Sequence, residues 1–237
     1  MAGRLIGVGV GPGAPDLLTL RALHHLQRAD VIFAPSMASD VQSRAESVVV
    51  RADPNLRVRR LVFAIIRDDA ARQAAHRAAA IEVGEVLSAG QSAAFVTLGD
   101  PNVYSTFHHL LREVRKIDPA VAVETVPGIM AFQALAAEAS LVVTDEVESL
   151  HIVTAVDGPV GIESALEDTA STVVIYKGGR HLGAIVDLLR AHDRLEGALL
   201  GELMGLEGSK VELLTSVDQR SASYLSTVIV PPRRSAS

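Results

Sequence analysis

Leu5 to Val10 is a short apolar run that breaks into glycine, and a leucine-striped helical pattern from Asp16 to Ala29 follows it. A strand that passes through a tight glycine turn into a helix is the opening of a βαβ unit, and it commits the chain to a sheet covered by helices. The pattern then recurs. Val31 to Ala34 reads as the next strand, Asp68 to Ser88 as an alanine-rich helix, and Ala93 to Leu98 as a strand. Thr106 to Lys116 is helical, Ala122 to Val126 is a strand, and Ile129 to Ala139 is a further helix. Ser47 to Val50 and Arg59 to Phe63 are additional strand candidates. This alternation predicts a mostly parallel N-terminal α/β sheet.

Beyond Leu141 the pattern changes. His151 to Ala155, Thr172 to Tyr176, Gly197 to Leu203, Lys210 to Thr215 and Tyr224 to Val230 read as strands. Only two helices separate them, near residues 161–167 and 181–192. Strands outnumber helices, so a mixed sheet is expected. The organisation predicted is two α/β domains, residues 1–142 and 143–230, with a basic, serine-rich tail over residues 231–237 that is expected to be disordered.

Composition narrows the function classes. The 237 residues hold no cysteine, which removes disulfides, thiolate metal sites and a cysteine nucleophile. Aromatic residues are 3% and the net charge is -6, a poor match to a general nucleic-acid binder. No apolar stretch has membrane-spanning length and no signal peptide pattern opens the sequence, so a cytoplasmic protein without a membrane partner is expected.

Three glycine-bearing segments carry the chemistry. Gly9-Val10-Gly11-Pro12-Gly13-Ala14 fits the dinucleotide-binding pattern G-x-G-x-x-A. Pro12 removes an N–H from the loop that would cradle a pyrophosphate, and the one nearby acid, Asp30, precedes the second strand instead of following it. Both details argue against a nicotinamide cofactor. Gly99-Asp100-Pro101 lies at the carboxyl end of a strand, the edge where open α/β sheets bind ligands. Its Asp100 offers an acceptor-only carboxylate, although an aspartate in such a loop also serves to cap the turn. Pro127-Gly128 before a helix is by itself only a common turn.

Taken together the segments resemble one family. Gly7-Val8-Gly9-Val10-Gly11-Pro12-Gly13 followed by Asp16-Leu17-Leu18-Thr19-Leu20, then Gly99-Asp100-Pro101-Asn102-Val103-Tyr104, then Val126-Pro127-Gly128-Ile129, is similar to the motif series of the tetrapyrrole (corrin and porphyrin) methyltransferases. The likeness spans about residues 3–230. It implies S-adenosylmethionine as methyl donor, S-adenosylhomocysteine as product, a tetrapyrrole acceptor, a homodimer, and an active site in the cleft between two α/β domains. Carried over position by position, the donor would be held by Pro12, Gly99, Asp100, Val103, Met130 and Ala131, by Tyr176 or Lys177, and by Met204 in Gly201-Glu202-Leu203-Met204-Gly205. Met130 stands where the family usually has Ser or Thr, so a hydroxyl contact is lost there.

Tyr104-Ser105-Thr106-Phe107, Arg60-Leu61-Val62-Phe63 with Arg67-Asp68, and Tyr224 to Val230 resemble the branch that methylates carbon 20 of precorrin-2 or its cobalt complex. Another corrin carbon, a diphthamide substrate, and a binding-only or nicotinamide-dependent protein are the alternatives. Methyl transfer from a sulfonium needs alignment more than acid–base groups, so neither a triad nor a metal is expected; Tyr104 is the one candidate for moving a proton. Arg57, Arg59, Arg60 and Arg67 are candidates for the acceptor's carboxylates. The tandem pairs His24-His25 and His108-His109 cannot share a helix face and are read as surface or packing residues.

Overall fold

Strand β1, Arg4–Gly9, has every residue after Arg4 buried. The computed structural model describes residues 3–63, 68–218 and 221–234. Alternate residues of β1 serve two cores. Leu5 joins Phe33, Phe95, Phe107 and Leu110 on one face, and Ile6 and Val8 join Ile32, Ala94, Val96 and Val48 on the other. Each fully buried Leu or Phe of this kind contributes about 1.5–3 kcal/mol.

Around β1 lie β2 (Val31–Ser36), β3 (Val58–Val62), β4 (Ser92–Thr97) and β5 (Ala122–Val126), in the order β3-β2-β4-β1-β5. Every pairing is parallel, as the alternation of elements requires. Helices α1 (Leu20–Arg28), α2 (Arg44–Ala52), α3 (Asp69–Ser88) and α4 (Thr106–Ile117) are the crossovers.

Two expectations fail in this half. The leucine-striped segment is a 3-10 turn at Pro15–Leu17 followed by α1 capped by Thr19, and Leu20 of the stripe is 77% exposed. Ser47 to Val50 is not a strand. It lies inside α2, where Ser43 and Glu46 form a reciprocal capping box and Val48 and Val49 are buried. Two hydrogen bonds at the helix start outweigh the weak strand preference of three valines.

The chain divides into units Met1–Met130 and Ala131–Ser237. The division falls ahead of the boundary expected at residue 142 because α5, Ala131–Glu138, packs on the second sheet through Leu135. That sheet runs β6-β7-β10-β8-β9, from β6 (Ser149–Thr154), β7 (Ser171–Tyr176), β8 (Leu199–Glu202), β9 (Lys210–Leu213) and β10 (Ser226–Val230). Only β6 and β7 are parallel, so the sheet is mixed as predicted. One face packs Val173, Ile175, Leu200 and Val228 against α6 (Glu163–Leu166) and α7 (Leu182–Ala191).

The tail is corrected in part. Arg233 N donates to Thr169 O at 2.9 Å, and Arg234 forms a two-pronged ion pair with Glu148 at 2.7 and 2.8 Å. Pro231–Arg234 is therefore ordered, and residues 235–237 lie outside the described residues. Among the described residues no helix is long and apolar enough to cross a membrane.

Candidate active site

In the first unit the three motif segments meet at the carboxyl edge of the parallel sheet. β1, β4 and β5 are adjacent, so the loops that leave them are neighbours. Gly11, with φ of 81°, turns the first loop back and pairs with Gly99 as an isolated antiparallel bridge. Gly99 N donates to Gly11 O at 2.8 Å, and Gly99 itself has φ of 66°. An L side chain is strained at either position. Gly9 and Gly128 are glycine for a different reason. A Cβ on Gly9 would lie 2.5 Å from Gly99 O, and one on Gly128 would collide with the same oxygen and with the Gly9 backbone.

Asp100 ties the second loop to the third. One carboxylate oxygen accepts from Asn102 N at 2.8 Å and the other from Gly128 N at 3.1 Å. It thus performs the turn-capping role and also fixes the Pro127-Gly128 loop. Each oxygen keeps a further lone pair. Pro12 is buried directly after Gly11, Val103 is half-buried with its N–H on Asp100 O at 3.4 Å, and the Met130 backbone lies beside Gly99.

The Tyr-Ser-Thr-Phe segment separates into structural and exposed parts. Ser105 caps α4 through Phe107 N and hydrogen-bonds Thr97 Oγ1 at 3.0 Å. Phe107 packs over Gly7, where any Cβ would enter its ring. Tyr104 is 45% exposed and holds φ of 46°, a left-handed conformation unusual for an aromatic residue.

Four candidates fall in the second unit. Tyr176 closes β7 and its hydroxyl accepts from Phe132 N at 3.2 Å, capping the start of α5 next to Ala131. Burial pushes its phenol up to about 12. Lys177 follows with φ of 60°, and burial holds its ammonium below the usual lysine value. Met204 is buried, with its sulfur over Gly201. Leu203 before it has φ of 52°. Tyr104, Lys177 and Leu203 are thus left-handed non-glycine residues in loops that leave strand ends, where strain gathers at functional sites.

Other sequence candidates have structural duties. Arg60, expected at the acceptor's carboxylates, instead grips buried Glu46 with its guanidinium at 2.7 and 2.9 Å. Arg57 bonds the Pro54 carbonyl at 3.0 Å, Arg59 is exposed on β3, and Arg67 lies outside the described residues. Asp30 holds Ser92 N and Oγ at 2.8 and 2.7 Å, so it joins the start of β2 to β4. His25 faces Glu124 at 3.4 Å, and His109 stacks on His76 at 5.4 Å. Sequence reasoning missed Gly9 and Gly128 as mutual contacts; their recurrence in motif loops was the available signal.

The model of the tetrapyrrole (corrin/porphyrin) methylases matches residues 4–218. The chain belongs to that family. A cobalt-precorrin-2 C(20)-methyltransferase from Salmonella typhimurium is 32% identical, covering 97% of each chain. A precorrin-2 C(20)-methyltransferase from a Sinorhizobium species is 30% identical, over 97% of this chain and 95% of the relative. Among solved structures, a uroporphyrin-III C-methyltransferase from Thermus thermophilus complexed with S-adenosylhomocysteine has the same fold. Its TM-score is 0.69, with 20% identity and 97% of each chain covered. This methylase therefore carries the family fold of two α/β units, one parallel and one mixed sheet.

Proposed function

We propose that the chain transfers a methyl group from S-adenosylmethionine to carbon 20 of precorrin-2 or cobalt-precorrin-2, in corrin (cobalamin) biosynthesis. The observation that carries the reading is the convergence of Gly11, Gly99 and Gly128, with Asp100, at the carboxyl edge of the parallel sheet. At Gly99 an added Cβ would meet nothing nearer than Met130 Cα at 4.0 Å, so its main chain is open to the close approach of a ligand. The full-length relatives supply the acceptor.

When bound, S-adenosylmethionine supplies a sulfonium-activated methyl group. The protein's task is alignment, which is worth effective molarities on the order of 10^5–10^8 M. Pro12, Gly99, Asp100, Val103 and Met130 are proposed to hold the donor in the first unit. Ala131, Tyr176, Lys177 and Met204 join the proposal through the family resemblance. The Gly11–Gly99 bridge and the two Asp100 bonds hold the motif loops of the first unit, and the Tyr176 cap holds the start of α5 beside Ala131. Such preorganisation lowers the ordering cost of binding. Tyr104, exposed at the motif loop, is the candidate to take part in removing the proton that carbon 20 loses. The same reading makes the protein a cytoplasmic homodimer.

Calorimetry with S-adenosylhomocysteine tests the donor, and the absence of binding would refute the methyltransferase reading. Incubation with precorrin-2 and with its cobalt complex, followed by NMR of the product, tests the acceptor. A methyl group at carbon 20 is expected; one at any other carbon refutes the assignment.

A further inference from the structure

Thr154, the last residue of β6, carries a hydroxyl that is buried and has no hydrogen-bond partner among the described residues. Buried hydroxyls are nearly always paired, because an unmade bond is costly. The neighbourhood gives this one a direction. β6 and β7 run parallel in register, with Thr154 opposite Tyr176. The residues before them, Val153 and Ile175, belong to the core beneath α6 and α7. Side chains alternate along a strand, so Thr154 and Tyr176 share the other face, where the Tyr176 hydroxyl meets the start of α5. Pairing continues past both residues, since Ala155 N donates to Tyr176 O at 2.8 Å. Thr154 is therefore held in place at the carboxyl end of two strands, beside left-handed Lys177.

We propose that the Thr154 hydroxyl is a binding residue for the methyl donor, completing its hydrogen bonding only when a polar group of the donor is seated next to Tyr176 and Lys177. The assignment rests on the donor reading above. It makes Thr154 a specificity element: it favours ligands that bring a donor or acceptor to this edge and penalises those that bring none.

A valine at this position keeps the shape and deletes the hydroxyl. Removing a polar group that has no partner in the unliganded protein relieves a cost, whereas removing one that bonds the ligand weakens binding. Thr154→Val is thus expected to leave the thermal midpoint of the unliganded protein unchanged or raised. It should also weaken S-adenosylhomocysteine binding about three- to tenfold by calorimetry, the loss of one neutral hydrogen bond. Thr154→Ser, which retains the hydroxyl, should bind within about twofold of the parent on the same scale.

The outcomes separate the two ideas. If the parent protein fails to bind S-adenosylhomocysteine, the donor reading and this assignment fall together. If the parent binds and Thr154→Val binds equally well, the assignment falls alone. It also falls if Thr154→Val lowers the unliganded midpoint, since the hydroxyl then has an internal partner. A raised KM for the tetrapyrrole with unchanged donor affinity likewise overturns it.

Discussion

The motif loops of the first unit are joined largely through main chain, Gly99 N–H to Gly11 carbonyl and Gly128 packed on Gly99 with the Asp100 carboxylate on its N–H, whereas in the second unit a single buried side chain gathers several segments. Arg194 is 2% exposed and donates to the carbonyls of Leu166, Asp168, Ser171 and Pro231 at 2.7–3.3 Å. It gathers the end of α6, the start of β7 and the residue after β10 into one knot. The two solutions suit different tasks. Backbone joints leave a loop bare, so a ligand can lie against it. A buried guanidinium fills the space it organises and leaves nothing for a ligand, which is suitable where only stability is needed.

The largest effect is expected from breaking the knot. Arg194→Leu takes this donor from the Leu166, Asp168, Ser171 and Pro231 carbonyls, and at about 1 kcal/mol or more for each should cost at least about 4 kcal/mol. Hydrogen exchange should rise first around β7 and Pro231–Arg234. Early exchange in β1 and β4 instead would mean that the knot is not local to its unit.

Next comes the main-chain joint. Gly128→Ala drives a methyl group into the Gly99 carbonyl and the Gly9 backbone, neither of which can rotate away. A loss of about 3 kcal/mol in urea unfolding is expected, at the high end for overpacking. Affinity for S-adenosylhomocysteine should fall with it. Stability within about 0.5 kcal/mol of the parent would show that the loops do not rely on this contact.

A smaller effect concerns pH. His76 lies against Phe63 and His109, with Arg72, Arg112 and Glu113 around it, and burial chiefly holds its imidazole below the ordinary 6.5. The unfolded chain therefore takes up this proton first. The stability contributed by the neutral ring is full above the unfolded value and is lost as pH falls through it. The thermal midpoint should drop between about pH 7.5 and about pH 5.5, and less steeply in His76→Gln. Identical slopes would rule out His76 as the source.

Gly84→Ala is the smallest change and opposite in sign. This glycine is inside α3, and a Cβ added there would meet nothing within 4 Å, so alanine should add about 0.5–1 kcal/mol through helix propensity. A decrease would reveal a contact at that face. Set beside Gly128→Ala, it separates a glycine required by contact from one that is not.

Much of the fold was legible in the linear chain. Alternation of apolar runs with helical patterns is a local property, and it forecast the parallel first sheet, the mixed second sheet and every observed strand, with one strand too many. The surplus one, Ser47 to Val50, was decided by a capping box whose Ser43 and Glu46 stand in the sequence, but beside them three consecutive valines give the louder local signal. Gly11 and Gly99 advertised tight turns because few other residues tolerate a positive φ, whereas the need for Gly128 comes from its contact with Gly99 and Gly9.

What the sequence by itself determined was the family, through glycine and proline spacings that depend only on neighbours along the chain, and the alternation that fixes the sheets. Tertiary structure alone decided which residues work on each other. Asp100 reaches Gly128 across 28 positions, Arg60 is captured by Glu46 rather than left for an acceptor, and Arg194 closes on Pro231 from 37 positions away. Thr154 is one threonine among many until its strand is laid beside β7 and its hydroxyl is left buried without a partner among the described residues. Spacing along the chain encodes local geometry, but hydrogen-bond satisfaction is a property of the folded neighbourhood.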